Sequence, residues 1–314
     1  MEYAPLPTPA QLDALARTLI PGGGAVHLRR IEGGLGCTTD VLGLRGADGG
    51  GRDVVLRRYG PWWQGVNREV GTQELAALRL ARRAGLPVPE PLWEDRNGLF
   101  GEPTIVIGFV PDARPVLEPR DPWDFARQLS AFLVRLHGLD VDPDTAALLP
   151  DLPAAFEKLA TLDEPSRSLA AHPRGRALWE RACQELRVTT FPERVFVHND
   201  FWPGNVLWRD GQLVAVVDFE ECGLGDPAQD VAYCSTDLRY LGHHTAADDL
   251  IRRYRKETGR TLATLFFWEL VALARPLPDI ARWLPGWQLL GCPHVTADEL
   301  RARHAALLER ALTR

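Results

Sequence analysis

Lysine is almost missing from this sequence of 314 residues, since only Lys158 and Lys256 of its 36 basic side chains are lysines. The phosphate-binding loop of P-loop NTPases requires a lysine after its glycines, so no such loop lies in the first half of the chain. The five cysteines are scattered and form no Cys-x-x-Cys pair. This pattern favours reduced thiols in a cytoplasmic compartment over a disulfide framework.

Long apolar runs are also missing. The most apolar stretch, residues 262–274, includes Thr264 and Glu269 and is shorter than the ~20 residues that cross a bilayer. The first residues contain no basic segment followed by an apolar core, which is the pattern of a secretory signal. We therefore expect a cytoplasmic protein without a membrane partner.

The overall charge is weakly acidic, with a net charge of -6 and a pI of about 5.8. A nucleic-acid binder usually presents a basic face, so we expect no nucleic-acid partner. With 45% hydrophobic and 25% charged residues, the composition is that of a globular protein rather than a disordered chain. At ~100–200 residues per domain, the length allows two domains or one domain with two lobes.

The first 110 residues predict a small α+β lobe. Helical patterns cover residues 9–19 and 67–84, and Gly85 follows the second where a glycine cap is favoured. Glycine-rich turns separate the first β-like runs, as in an antiparallel meander. Five runs have the character of strands: residues 25–31, 38–44, 53–58, 92–94 and 104–110. We expect a five-stranded antiparallel sheet with one long helix.

The character of the chain changes after Pro111. A β segment over residues 194–219 interrupts a part of the chain that is otherwise mainly helical. Helical patterns cover residues 121–139, 151–162, 173–187, 243–258, 261–275 and 297–312. We therefore predict an N-terminal lobe over residues 1–110 and a larger, mainly helical C-terminal lobe over residues 111–314.

The stretch from residue 195 to residue 232 offers the groups for a reaction. A carboxylate, Asp200, is followed five residues later by the amide of Asn205 and thirteen residues after that by Asp218. Phosphoryl transfer uses such groups. One carboxylate orients the attacking hydroxyl and accepts its proton, while an amide oxygen and a second carboxylate hold Mg²⁺ on the nucleotide phosphates.

This stretch resembles the kinase-like phosphotransferases of the aminoglycoside phosphotransferase and choline kinase family. That family has a His-x-Asp-x-x-x-x-Asn loop, then a hydrophobic strand with Asp, then a Gly-Asp-Pro-x-x-Asp segment, which here runs from Gly225 to Asp230. The resemblance covers nearly the whole chain. It implies a protein-kinase-like two-lobe α+β fold, with a nucleotide-binding N-terminal lobe and a C-terminal lobe for catalysis and acceptor binding. It also implies transfer of the γ-phosphate of ATP, or of GTP, to a small-molecule hydroxyl with Mg²⁺.

The resemblance assigns roles to individual residues. Asp200 matches the catalytic base, and Asn205 and Asp218 match the magnesium ligands. Asp230 matches a residue that holds the loop backbone by hydrogen bonds. Asn199 departs from the pattern, because many family members have glycine at this position.

The N-terminal lobe contains the parts of a nucleotide site that the resemblance implies. The turn with Gly34 and Gly36 lies where a nucleotide-covering loop belongs, and glycine lets backbone amides approach phosphates closely. Arg57 stands where the family usually has a lysine, and its forked guanidinium keeps the positive charge. A helix glutamate is expected to hold this cation, Glu74 in preference to Glu69.

The strand over residues 104–110 resembles the segment that links the two lobes. Backbone groups of Gly108 and Val110 are then expected to hydrogen-bond the purine. Such contacts do not distinguish ATP from GTP.

The acceptor is expected to be a small molecule with a hydroxyl group. An aminoglycoside or another antibiotic is the leading candidate, and a choline-like amino alcohol, an amino acid or a sugar is the alternative. Trp268, Trp283 and Trp287 lie in the C-terminal part where the family binds its acceptors. They are either a cage for a quaternary ammonium group or ordinary core side chains.

The residues fit two other functions less well. A catalytically inactive binding module of the same fold would be favoured if Asp200 or Asp218 were missing, and both are present. A metal hydrolase would use His198 and those two carboxylates with the pair His243–His244, but the spacing matches no known metal motif.

Overall fold

The computed structural model describes residues 4–31, 37–153 and 164–314. The chain forms two compact units, Met1–Asp112 with Val217–Glu221, and Ala113–Val216 with Cys222–Arg314. The sequence pattern divides the chain once, after residue 110, whereas in the structure Val217–Glu221 belongs with the N-terminal unit. The predicted glycine turn and most of the predicted helix over 151–162 lie outside the described residues.

A five-stranded antiparallel sheet organises the N-terminal unit, in the order β1-β2-β3-β5-β4. This sheet confirms the predicted fold class. The register pairs Thr39 on β2 with Arg57 on β3. The strands are β1 (Gly24–Ile31), β2 (Cys37–Arg45), β3 (Gly51–Tyr59), β4 (Pro91–Glu94) and β5 (Thr104–Gly108).

The described residues of this unit also form three helices. They are α1 (Pro9–Leu19), α2 (Pro61–Val66) and α3 (Val70–Arg83), of which α2 was not predicted. Helix α3 packs closely on β5, because a Cβ added at Gly71 would lie 2.9 Å from a methyl carbon of Ile105. One turn further along α3, this close packing buries Glu74 completely.

The C-terminal unit combines two small sheets with most of the helices. The first sheet contains β6 (Arg114–Pro115), β8 (Val206–Arg209) and β9 (Gln212–Val216), and the second contains β7 (Val195–Val197) and β10 (Gly223–Gly225). The described helices are α4 (Pro122–Leu136), α5 (Pro143–Leu148), α6 (Arg167–Ala170), α7 (Gly175–Val188), α8 (Pro227–Tyr240), α9 (His244–Thr258), α10 (Leu265–Ala274), α11 (Leu284–Leu289) and α12 (Ala297–Thr313).

Helix α8 lies in the interior of this unit. Thirteen of its 14 residues are buried, among them the polar side chains Asp230 and Asp237. The periodicity argument missed α8, because a helix that is buried on all sides has no polar face to alternate with an apolar one. The core also contains Trp268 and Trp287, which are 0% and 2% exposed, so these two tryptophans are packing residues and not an open cage.

Within the described ranges, every helix is too short or too polar to traverse a bilayer.

Candidate active site

The guanidinium group of Arg57 lies among three carboxylates of the N-terminal unit. Its Nη2 donates to Asp218 Oδ1 at 2.6 Å and to Glu220 Oε2 at 3.0 Å. Its Nε lies 3.3 Å from Glu74 Oε2. Arg57 is 5% exposed. The structure therefore brings together three residues that the sequence singled out, Arg57, Glu74 and Asp218, and adds Glu220 to them.

This cluster, formed by Arg57, Glu74, Asp218 and Glu220, is acidic. Burial raises the pKa of the Glu220 carboxyl well above its usual value, and the neighbouring Asp218 carboxylate acts in the same direction, whereas Arg57 opposes both. One guanidinium cannot neutralise three carboxylates. A cation that enters beside Asp218, the most exposed of the three carboxylates, would relieve this repulsion.

Arg57 and Arg58 have different partners, because they lie on opposite faces of the sheet. Glu74 also accepts a hydrogen bond from the hydroxyl of Tyr59, which fixes the carboxylate that faces Arg57. Arg58 points to the other face of the sheet, as strand alternation requires, and its Nη2 donates to the buried Asp40 at 2.9 Å. Glu69, the alternative partner in the sequence analysis, accepts instead from Thr72 at 3.4 Å.

The structure says less about the other residues that the sequence predicts for nucleotide binding. Gly34 and Gly36 lie outside the described residues. The N–H of Gly108 donates to the carbonyl of Glu90 at 2.7 Å, so this donor is already used and is not free for a purine. Val110 is half-buried just beyond the end of β5.

In the C-terminal unit, a loop over residues 198–205 connects β7 to β8. Hydrogen bonds from its backbone to Asp230 hold this loop. Asp230 Oδ2 accepts from the backbone N–H of His198 at 2.8 Å, and Oδ1 accepts from that of Asn199 at 2.7 Å. His137 Nε2 lies 3.0 Å from the same carboxylate. Burial opposes ionisation of Asp230, but the hydrogen bond from His137 and the neighbouring loop lower its pKa below the usual value. The predicted role of Asp230 in holding the loop is confirmed.

The geometry of this loop explains the departure at Asn199. Its φ is 65°, in the left-handed region that glycine adopts freely and asparagine tolerates better than most residues. The side-chain carbonyl of Asn199 also accepts a hydrogen bond from Gln229 Nε2. Asparagine therefore keeps the backbone conformation that a glycine would adopt and adds an anchor to α8.

Asp200 and Asn205 face each other across this loop. Asn205 Nδ2 donates to both the backbone carbonyl and Oδ2 of Asp200, each at 2.9 Å. The other carboxylate oxygen, Oδ1, accepts from Nη2 of Arg275. Arg275 follows α10 and stands 75 positions after Asp200, so no local motif pointed to it.

The histidines named for a metal hydrolase do not assemble a site. His243 Nε2 is bonded to the carbonyl of Leu117 at 2.7 Å. In the part of the chain that the structure describes, no three His, Cys, Asp or Glu side chains form a group able to hold a metal ion by themselves.

Comparison with known proteins identifies the family of this chain. The family described as "Phosphotransferase enzyme family" matches residues 44–266. Viomycin phosphotransferase from Streptomyces vinaceus is 30% identical over 158 residues, or 47% of this chain and 55% of that protein. The aligned region thus spans about half the length of this relative.

Solved structures share the fold over nearly the full length of the chain. Spectinomycin phosphotransferase, in complex with ADP and spectinomycin, has a TM-score of 0.63 at 13% identity and covers 96% of this chain and 97% of its own. A macrolide 2'-phosphotransferase from Brachybacterium faecium has a TM-score of 0.56 at 23% identity, with 95% and 96% covered. These likenesses confirm the predicted kinase-like fold. Because the family match covers more than half of the chain, the protein belongs to the phosphotransferase enzyme family.

Proposed function

We propose that this phosphotransferase moves the γ-phosphate of ATP to a hydroxyl group of a small antibiotic, with Mg²⁺. The observation that carries the proposal is the fixed position of Asp200, which is bonded through both carboxylate oxygens on a loop that Asp230 anchors. Such preorganisation is what a general base requires. In this proposal the N-terminal lobe, residues 1–110, binds the nucleotide, and the C-terminal lobe, residues 111–314, binds the acceptor.

Asn205 and Asp218 fit the metal that such a reaction uses. Mg²⁺ takes oxygen ligands, usually one or two from the protein and the rest from phosphate and water. Asn205 and Asp218 follow Asp200 by five and eighteen residues in the segment that resembles the family motif. The Nδ2 group of Asn205 is engaged with Asp200, so its amide oxygen is the atom offered to the metal. The bound ion would neutralise the charge that develops on the phosphates.

Arg57 is the proposed phosphate ligand. Its guanidinium presents a planar fork that suits phosphate oxygens. Glu74 forms an ion pair at the Nε side of the guanidinium, whereas Nη2 is shared between Asp218 and Glu220. A nucleotide phosphate would compete with these two carboxylates for the same nitrogen while Asp218 turns to the metal.

Asp200 is the proposed general base. It accepts the proton of the acceptor hydroxyl as the oxygen of that hydroxyl bonds to the γ-phosphorus and ADP departs. Each carboxylate oxygen has more than one lone pair, so Asp200 can take this proton while Asn205 and Arg275 keep their hydrogen bonds.

The relatives support an antibiotic as the acceptor. One relative is named for viomycin, and solved structures of the same fold are named for spectinomycin and for macrolides. Choline, an amino acid or a sugar is the alternative, and GTP is the alternative donor.

A screen of phosphate transfer tests the proposal. Purified full-length protein is incubated with Mg²⁺ and ATP or GTP against viomycin, spectinomycin, a macrolide, choline, homoserine and glucose, and ADP or GDP release and the mass of each product are measured. We expect an antibiotic to gain one phosphoryl group. Phosphorylation of choline, homoserine or glucose alone would contradict the antibiotic class, and no phosphorylated product at all would contradict the activity.

The role of Asp200 is tested with the accepted compound. Asp200→Asn keeps the shape and cannot accept the proton, so turnover should fall by roughly 10²–10⁴-fold while nucleotide affinity persists. Asp210→Asn is the matched control, because Asp210 is an exposed turn residue of the same β8–β9 hairpin. Near-normal turnover of Asp200→Asn would contradict the mechanism.

A further inference from the structure

We propose that Arg275 is a positioning residue for Asp200, whose guanidinium holds one oxygen of that carboxylate so that the group stays aimed at the acceptor hydroxyl. The inference rests on the proposed function, in which Asp200 is the general base. All residues that carry it belong to the C-terminal unit.

Arg275 is itself fixed at both ends. It stands directly after α10, where its backbone carbonyl accepts a hydrogen bond from Arg282 Nη2 at 2.6 Å. Its guanidinium carbon lies 4.5 Å from the centre of the Tyr233 ring, and its Nη2 donates to Asp200 Oδ1. The ring face attracts the cation and restricts it to one plane, so the donor reaches Asp200 from a defined direction.

Helix α8 supplies a second carboxyl group near this guanidinium. Asp237 is 6% exposed and follows Tyr233 by four residues, so both lie on the same face of α8. Burial raises the pKa of the Asp237 carboxyl to about 7, the Arg275 cation opposes this rise, and the Asp200 charge adds to it. Arg275 thus interacts with two carboxyl groups, Asp200 on the loop and Asp237 in the interior.

Two different segments fix the two oxygens of Asp200. Asn205, within the loop itself, bonds Oδ2, and Arg275 bonds Oδ1. Rotation of a carboxylate about its last torsion is soft, so a single hydrogen bond leaves its orientation poorly defined. Misplacement of a reacting group by about 1 Å can cost on the order of 10²-fold in rate.

Lysine is expected to replace this arginine poorly. A planar guanidinium can lie flat on an aromatic ring while its edge donates to a carboxylate, and an ammonium group lacks this shape. The sequence uses arginine at nearly all basic positions, so an arginine at position 275 does not by itself indicate a function. The contacts of Arg275 with Asp200 and Tyr233 indicate it.

A kinetic double-mutant cycle tests the inference with the acceptor identified in the screen. We expect Arg275→Ala to lower kcat by roughly 10–100-fold, with the KM values for ATP and acceptor changed less than about threefold, and Arg275→Lys to restore only a small part. Because Arg275 acts through Asp200, the double variant Asp200→Asn with Arg275→Ala should turn over at about the rate of Asp200→Asn alone. Losses that multiply would show a separate action, for example on the transferring phosphoryl group, and would overturn the inference.

Arg301→Ala is the matched control. Arg301 forms an exposed ion pair with Asp279 at 2.7 Å in the same unit, and its removal should leave kcat unchanged. An unchanged kcat in Arg275→Ala would also overturn the inference.

Failure of the proposed function is recognised separately. If the wild-type protein phosphorylates no compound of the screen, the same cycle is measured on hydrolysis of ATP by water and on the melting temperature of the ligand-free protein. The Asp200–Arg275 contact predicts that the melting shifts of the two single variants do not add in the double variant. Additive shifts would overturn the inference whatever the acceptor is.

Discussion

At the scale of single residues, Asp237 gives the protein a stability that depends on pH. Burial raises the pKa of this carboxyl to about 7 in the folded protein, while an unfolded chain releases the same proton at about pH 4. Between these values the folded state binds a proton that the unfolded state lacks. Stability therefore falls as pH rises through this window, because charging the buried group becomes part of folding.

Asp237→Asn should remove this dependence. Relative to the variant, the wild-type protein should lose stability at up to roughly 1.4 kcal/mol per pH unit between about pH 4 and 7. Urea unfolding of both proteins across this range measures the difference. Asp248→Asn is the control, because Asp248 is exposed in its ion pair with Arg239. Parallel stability curves for wild type and Asp237→Asn would show that the carboxyl titrates normally.

The sequence indicated the residues of the proposed site unevenly, and the reason is their spacing in the chain. Asp200, Asn205 and Asp218 were found because they stand close together in one segment, five and thirteen residues apart. Arg275 and Asp237 were missed, since their relation to Asp200 depends on how α8 and α10 pack. A single sequence has no signal for such a relation when arginine is abundant everywhere.

At the scale of elements, the strands were predictable and α8 was not. Alternating runs separated by glycine turns specify a meander directly, and the five strands lie close to their predicted positions. Helix α8 shows no alternation of apolar and polar faces in its sequence, because its polar residues are buried as well. In the structure the helix begins at Asp226-Pro227, which combines a capping residue with a proline at the first helical position.

The capping residue of α8 should contribute more to the free energy of unfolding than a capping residue at the surface. Asp226 Oδ1 accepts from the N–H of Ala228 at 2.7 Å, and Oδ2 accepts from the hydroxyl of Thr264 at 2.9 Å. Asp226→Ala removes the cap and leaves a buried hydroxyl without this acceptor, so we expect a loss of roughly 2 kcal/mol. Asp121→Ala at the exposed start of α4 should cost about 1 kcal/mol. Unfolding in urea compares the two, and an equal or smaller loss for Asp226→Ala would refute the argument.

At the scale of the whole molecule, the assignment of Val217–Glu221 to the N-terminal unit is a tertiary property. The local sequence does not predict this assignment, because the contact between Arg57 and Asp218 joins positions 161 residues apart. The segment continues directly from β9, so a linear division of the chain assigns it to the second lobe. Its contacts with Arg57 instead tie it to the sheet of the first unit.

This arrangement leads to a prediction about ligand-induced stability. A ligand that binds only the folded protein stabilises it by about 2.7 kcal/mol at a hundred times its Kd, so Mg²⁺ with ATP should raise the melting temperature by several degrees. Asp218→Ala should lose most of this increase, because the proposed metal ligand is gone.

The increase is the quantity to compare, since Asp218→Ala also removes one of the three carboxylates that crowd Arg57 and can itself raise the melting temperature of the free protein. Asp210→Ala, on the exposed hairpin turn, should keep the full increase, and ATP without Mg²⁺ should give a smaller one. If Mg²⁺ and ATP raised the melting temperature of Asp218→Ala as much as that of the wild-type protein, Asp218 would not be a ligand of the nucleotide-bound metal. The carboxylates around Arg57 would then have to be explained without a metal.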